Sequence, residues 1–359
     1  MTAVQARAKV TWPFLDKHMK SNVFLSLALA ATFSATAQHD RLISNWSQSQ
    51  MIYNPGAVAT GQGDMSFFAN HRSQWLTVPE MGVGIRSNFV NGEFKIKEEG
   101  LANRNNFGIG FNILSDQSGA ANLTTLSVSL PLNYTLALDR QNKLSIGIAP
   151  GFIQQASDRS GQTWENQWDG SVFNPATSVE NSINGSYATM DLGTGIFFQH
   201  QINNRSSFYA GYALNHLIKP KMAWSFSGDK MYMQMVLQGG ADLATRNTDF
   251  RIQPNFVYFR TGNTNSLTAG VTFENTIKEG SKITGINKSN CVNYGVYYRH
   301  GDAVVATFGM KVSQFRFGLS FDANTSKLNQ ATGGIGGMEV YFKALLNYKK
   351  FNAQSRMRD

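Results

Sequence analysis

The chain has 359 residues and a formal net charge of +9, yet only 15% of its residues are charged, well under the roughly 25% usual in soluble domains. Aromatic residues reach 12% and glycine 33 residues, while a mean hydropathy of -0.27 excludes a bundle of transmembrane helices. The basic side chains form no dense cluster, which argues against nucleic acid as a partner, and the single Cys291 permits neither an internal disulfide nor a cysteine-based zinc site.

The first feature in chain order is residues 19–37, MKSNVFLSLALAATFSATA. Lys20 supplies a positive start, and 23–33 is an uncharged apolar run too short to cross a bilayer as a helix. Ala35-Thr36-Ala37 is a small-x-small cleavage box. We read a secretory signal peptide over 19–37, with Met19 as the natural start and residues 1–18 as an over-called start. Gln38 then opens the mature chain. Residues 38–62 are set apart as an amino-terminal periplasmic segment, ahead of a barrel over 63–350 and a tail over 351–359.

From residue 64 onward, period-two alternation is the main signal. It predicts fourteen strands, at 64–72, 81–90, 105–115, 122–138, 143–156, 188–201, 205–217, 231–243, 248–260, 265–275, 291–300, 303–312, 314–323 and 336–348. In 126–138, Leu126, Val128, Leu130, Leu132, Tyr134, Leu136 and Leu138 share one face, and Ser127, Ser129, Asn133 and Thr135 share the other. Successive strand residues point to opposite faces, so such a run builds one apolar wall and one polar wall. The run 314–322 repeats the pattern, with Phe315, Phe317, Leu319 and Phe321 against Arg316, Gly318, Ser320 and Asp322.

The fold class is therefore all-β, an antiparallel transmembrane β-barrel of the outer-membrane type with about 14 strands. A soluble β-sandwich would also show two faces; the export signal and the Tyr and Phe load favour the membrane. An even count returns both ends to the periplasmic side, where turns are short. The turns at 139–142, 202–204, 244–247 and 313 fit that side, and the long connection 157–187 falls outside. The stretches 91–104 and 276–290 depart from the pattern, being long yet periplasmic.

The sequence offers little for catalysis. His39, His71, His200, His216 and His300 have no metal-ligating spacing, and no nucleophile elbow appears. No catalytic, cofactor-binding or metal residue is assigned, and Asn215-His216 reads as an interface pair. Arg72, Gln74 and Trp75 read as an interfacial aromatic anchor with polar neighbours. Asp116 reads as a turn residue in SDQSG, and Arg299, Asp302, Arg316 and Asp322 as charges paired inside the lumen.

Several motifs follow in a familiar order. They are QHDRLISNWSQSQMIYNPGAVATG at 38–61, HRSQW at 71–75, FGIGFNILSDQSG at 107–119, MDLGTGIFFQH at 190–200 and FYAGYALNHLIKP at 208–220. NYGVYYRHGDA, FRFGLSFDANTSKL and GGMEVYF close the chain. Together they resemble the PorP/SprF family of type IX secretion system outer-membrane proteins over nearly all of the mature chain. Three places depart from the family pattern. Gly56-Ala57-Val58 follows Asn54-Pro55 where Ala-Tyr-Ala-Gly is usual, Thr77-Val78-Pro79 replaces Gly-Ala-Pro, and Gly337-Met338-Glu339 replaces Ser-His-Glu.

The resemblance implies a barrel of the bacterial outer membrane, surrounded by its lipid and without enzymatic activity. It implies support for secretion or cell-surface attachment of a cargo with a type IX carboxy-terminal signal domain, as in gliding adhesins. Periplasmic secretion or motility proteins are the further implied partners. The motif and lumen residues Asn54, Pro55, Arg72, Gln74, Trp75, Asp116, Arg299, Asp302 and Asp322 are the candidates for partner binding or a structural role. The alternatives are an outer-membrane channel for small solutes, suggested by the polar inward face, and an outer-membrane hydrolase.

Overall fold

A strand that is apolar on one side and polar on the other can cross a membrane only if every backbone group bonds to a neighbouring strand and no edge is left over. The computed structural model meets this condition. It describes residues 42–75, 84–97, 105–119, 122–156, 165–174, 186–221, 230–246, 249–278, 289–327 and 329–347. All of these lie in the unit Gln38–Asp359. The signal peptide and over-called start predicted for 1–37, and the tail 351–359, lie outside the described residues.

Fourteen antiparallel strands form one closed ring. They are β1 (Met65–Gln74), β2 (Ile85–Lys97), β3 (Asn106–Ser118), β4 (Leu123–Ser129 continued by Leu132–Ala137), β5 (Asn142–Ala156), β6 (Ser186–Asn203) and β7 (Ser206–Asn215). The rest are β8 (Gln234–Ala244), β9 (Phe250–Thr261), β10 (Thr264–Lys278), β11 (Asn290–Arg299), β12 (Ala303–Val312), β13 (Phe315–Asn324) and β14 (Ile335–Leu346). Each strand pairs with the next, and β1 pairs with β14, which closes the ring. β4 is broken at Leu130-Pro131 because proline has no amide hydrogen to give. The register with β3 and β5 nevertheless runs unchanged across the break. Pro131 still accepts a bond from the amide of Gly110 at 2.7 Å.

The two faces separate as the alternation requires. Leu319, Phe308, Val296, Ile146 and Val340 are all more than half exposed, forming part of the apolar outer wall that meets lipid. Their sequence neighbours Ser320, Tyr297, Ser145 and Glu339 are buried. The ends of the barrel at Met65 and Leu346 share one rim with the short turns between β4 and β5, β6 and β7, and β12 and β13. Short turns are periplasmic in bacterial barrels, so this is the inner rim and the opposite one is the outer rim. In the first of these turns, the side chain and amide of Asn142 and the amide of Gln141 all donate to Asp139. These bonds, the Asn142 side chain foremost, hold its carboxyl below the usual carboxylate range.

The strand count agrees with the sequence reading, and two boundaries are corrected. β2 runs on to Lys97 and β10 to Lys278. The connections that looked too long for the periplasmic side are therefore shorter than 91–104 and 276–290. In β2, Asn91-Gly92 interrupts the apolar alternation, yet both neighbouring strands continue to pair beyond it.

Candidate functional site

The segment set apart at 38–62 does not sit below the barrel in its described part. Residues from 42 onward run inside it, and bonds to strands on opposite sides of the ring fix this placement. Ser44 and Asn45 bond to β13 and β14, Asn54 to β6, Tyr53 to β7, and Gly56 to β4. The segment starts against the outer-rim halves of β1, β11, β13 and β14. It ends at the inner rim, where it turns into β1.

Local chemistry shapes it as three short 3-10 turns, Trp46–Gln48, Gln50–Ile52 and Pro55–Ala57. Asn54 is the N-cap of the third, and its Oδ1 accepts the Gly56 amide at 2.9 Å. Proline follows at the first turn position, where a missing amide hydrogen costs nothing. The Asn54 amide group also donates to the carbonyl of Ile196 at 3.1 Å. Asn54 and Pro55 thus form a joint between segment and wall rather than an exposed motif.

Apolar residues of the segment fill an apolar patch on the inner wall. Ile43, Trp46 and Tyr53 pack in one cluster with Phe89, Val236, Val257 and Phe259. Tyr53 meets Phe259 edge to face at 4.7 Å between centroids. Burying such a side chain is worth about 1.5–3 kcal/mol. The inward face is therefore not wholly polar, since Val257 and Phe259 of β9 are buried on it.

Three of the four charges predicted for the lumen, Arg299, Asp302 and Asp322, meet at the outer end of the segment. Arg72 on β1 bonds to Glu339 on β14 at 2.5 Å and to Asp322 on β13 at 2.7 Å. Arg299, at the end of β11, bonds to Asp322 at 3.0 Å and to Asp302 at 3.1 Å. The side chains of Arg72, Asp322 and Glu339 are 3% exposed or less. Two arginines against two deeply buried carboxylates make the centre self-neutral, with Asp302 at its more exposed edge. The segment caps this centre. The amides of Ser44 and Asn45 donate to the two oxygens of Glu339 at 2.6 and 3.1 Å. The Ser44 hydroxyl donates to Asp322 and accepts from both arginines.

Of the nine candidate residues, Arg72, Arg299, Asp302 and Asp322 are brought together. Gln74 touches the cluster through a long 3.4 Å bond from Arg72. Trp75 follows the end of β1 with a left-handed φ of 56°. Asp116 is corrected: it lies within β3, buried and bonded by the Ser87 hydroxyl of β2, and the turn comes after it. Arg316 belongs elsewhere, bonded to Glu274 at 3.0 Å nearer the inner rim. Glu339, Ser44 and Asn45 were missed. Glu339 shared the polar face of its predicted strand and stood in the GGMEVYF motif, and these were the signals for it.

On the side of β2 to β8 the outer half keeps a cavity above the segment, with about 860 Å³ of empty space including its open mouth. Tyr53, Phe89 and Ile153 line it, with Asp191 and His216 in contact at 3.0 Å. No group of histidine, cysteine and carboxylate side chains able to hold a metal occurs among the described residues.

A family model described as type IX secretion system membrane protein PorP/SprF matches residues 35–335. The fold is similar to the crystal structure of a Pseudomonas aeruginosa FadL homologue, with a TM-score of 0.50 at 10% identity, covering 81% of this chain and 92% of that one. The P. putida toluene transporter TodX gives 0.46 at 9%, covering 83% and 94%. BamA from Haemophilus ducreyi lacking POTRA domains 1-3 gives 0.37 at 11%, covering 94% and 80%. At these identities the likeness is one of fold alone. No curated protein matches the chain.

Proposed function

We propose a function from one premise: the chain belongs to the PorP/SprF family of type IX secretion system membrane proteins. It is an outer-membrane β-barrel component of that secretion system. On our reading it is a docking barrel without catalytic activity, exported by the signal peptide at 19–37. Its outer rim supports the secretion or cell-surface attachment of a cargo protein bearing a type IX signal domain, gliding adhesins among them. Its inner rim meets periplasmic proteins of the secretion or motility machinery.

The observation that supports this reading is the occupied lumen. A channel for small solutes needs a continuous path, and here residues 42–62 fill the waist and are tied to strands around the ring. A barrel so filled offers its two rims for work rather than its bore. The test is deletion of the gene followed by a survey of proteins at the cell surface. Loss of one or a few surface proteins, restored by the intact gene, is expected. An unchanged surface proteome contradicts the reading, and steady conductance of the purified barrel in a planar bilayer would favour the channel instead.

A further inference from the structure

The cavity of the outer half has an apolar floor and two polar flanks. Met51, Ile52, Tyr53 and Pro55 of the segment form the floor, and Phe89, Leu114 and Ile153 line the wall beside it. On one flank Asn112 of β3 faces Ser129 of β4 in register, and Leu114 faces Ser127 one step nearer the outer rim. On the other flank Asp191 of β6, Asn215 of β7 and Gln234 of β8 come together with His216. Between the flanks Gly151 of β5 lies opposite both Ser129 and Asp191, so no side chain separates the two.

The second flank is fixed in place. Asn215 donates to the Tyr53 carbonyl and to Gln234 Oε1, both at 3.2 Å. His216 holds a left-handed φ of 57°, and the amide after it, that of Leu217, donates to the Leu192 carbonyl at 3.0 Å. A residue other than glycine kept in that region is held there by its surroundings, and such positions cluster at ligand sites. His216 Nδ1 lies 3.0 Å from Asp191 Oδ2. The other Asp191 oxygen, Oδ1 of Asn112 and the hydroxyl of Thr125 have no hydrogen-bond partner among the described residues, and all three residues line the cavity. The first two atoms only accept, and the third can accept. Buried acceptors normally have partners, so the flanks are short of donors.

We propose that this cavity binds one small molecule with an apolar body and a hydrogen-bond-donating head, a hydroxyl or an ammonium group. The body rests on Tyr53, Phe89 and Ile153, and the head meets the acceptors of Asp191 and Asn112. Met51, with its unbranched thioether, adapts to bodies of different shape. A carboxylate head is disfavoured, because it sets a second anion beside Asp191. An apolar lining with a few convergent polar groups is the common make-up of small-molecule sites. The segment closes the cavity below, so the site holds its ligand rather than passing it on. It is independent of the secretion reading, since it rests on the lining alone.

The test titrates the full mature barrel in detergent micelles with three probes of similar body, phenethylamine, phenethyl alcohol and phenylpropionate, followed by calorimetry against micelles alone. Saturable binding of the amine or the alcohol is expected, and the tighter of the two tells whether the preferred head is charged or neutral. Phenylpropionate binds about tenfold more weakly or not at all. Asp191→Asn weakens the amine by about tenfold, as loss of one charge-assisted bond implies, and the alcohol by less. Ser127→Phe fills the cavity with a ring, abolishes binding of both, and serves as the second variant should the first fail to fold. Three results would each overturn the proposal. They are no saturable binding of amine or alcohol, a carboxylate that binds as tightly as either, and binding that both variants leave unchanged, the mark of partition into the micelle or onto the outer wall.

Discussion

Residues 42–49 and 53–60 lie in one lumen and are held by opposite means. The first stretch is held by ions: Glu339 accepts two of its backbone amides, and the Ser44 hydroxyl sits among Arg72, Arg299 and Asp322. The second is held chiefly by neutral groups and by shape, with a single carboxylate contact from the Ala59 amide to Glu93 at 2.8 Å. Asn133 donates to the carbonyl of Gly56 and Asn215 to that of Tyr53. The wall beneath it is stripped to glycine, since a Cβ at Gly147 would meet the backbone of Pro55 and one at Gly195 the Asn54 side chain. The difference teaches that one end depends on charge and the other on close approach. Chemistry can therefore loosen one end and leave the other in place.

The largest expected effect is at the ionic end. Glu339→Gln keeps the volume but leaves Arg72 and Arg299 buried with Asp322 and the edge carboxylate of Asp302. Breaking a buried ion pair from one side costs about 3–5 kcal/mol. Hydrogen exchange at the amides of Ser44 and Asn45 should speed up accordingly, with exchange at Gly56 and Ala57 little changed. Equal acceleration at both ends would erase the distinction. Next comes Gly147→Val, which forces the Pro55 backbone off the wall at about 1–3 kcal/mol, as overpacking does. Here the same measurement should show Gly56 and Ala57 exposed while Ser44 stays protected. Asp302→Asn is the smallest. Its side chain is 32% exposed, and such pairs contribute about 1 kcal/mol or less. Exchange at Ser44 should barely move; a large change would mean that the ionic centre extends to the rim.

The barrel was legible because its signal is local. Alternation names the face of each residue without knowing its partner, and Leu319 and Ser320 fall on their predicted sides. The strand ends beyond Val90 and Asn275 were missed where charged or small residues broke the alternation while pairing went on. The lumen was less legible because its contacts are not local. Ser44 and Glu339 are 295 positions apart, and no pattern within either stretch announces the other. Arg299, Asp302 and Asp322 could be read as inward charges, but not as one centre with Arg72, which reads as the polar neighbour of an aromatic anchor. The segment itself has apolar residues at irregular spacing, Ile43, Trp46, Met51, Tyr53 and Val58. With neither a helical nor a strand period it reads as a periplasmic segment apart from the barrel. Only the closed wall around it shows what those residues pack against.

The central claim is that residues 42–62 thread the barrel with their leading end held in the outer half. The most direct measurement places cysteines at Asn45 and Ser320, whose side chains bond at 3.0 Å, in a chain with Cys291→Ser. Oxidation of intact cells should then give an internal cross-link in the folded barrel, seen as a changed gel mobility that reductant reverses. A folded barrel in which the two cysteines stay free and react separately with thiol reagents would contradict it.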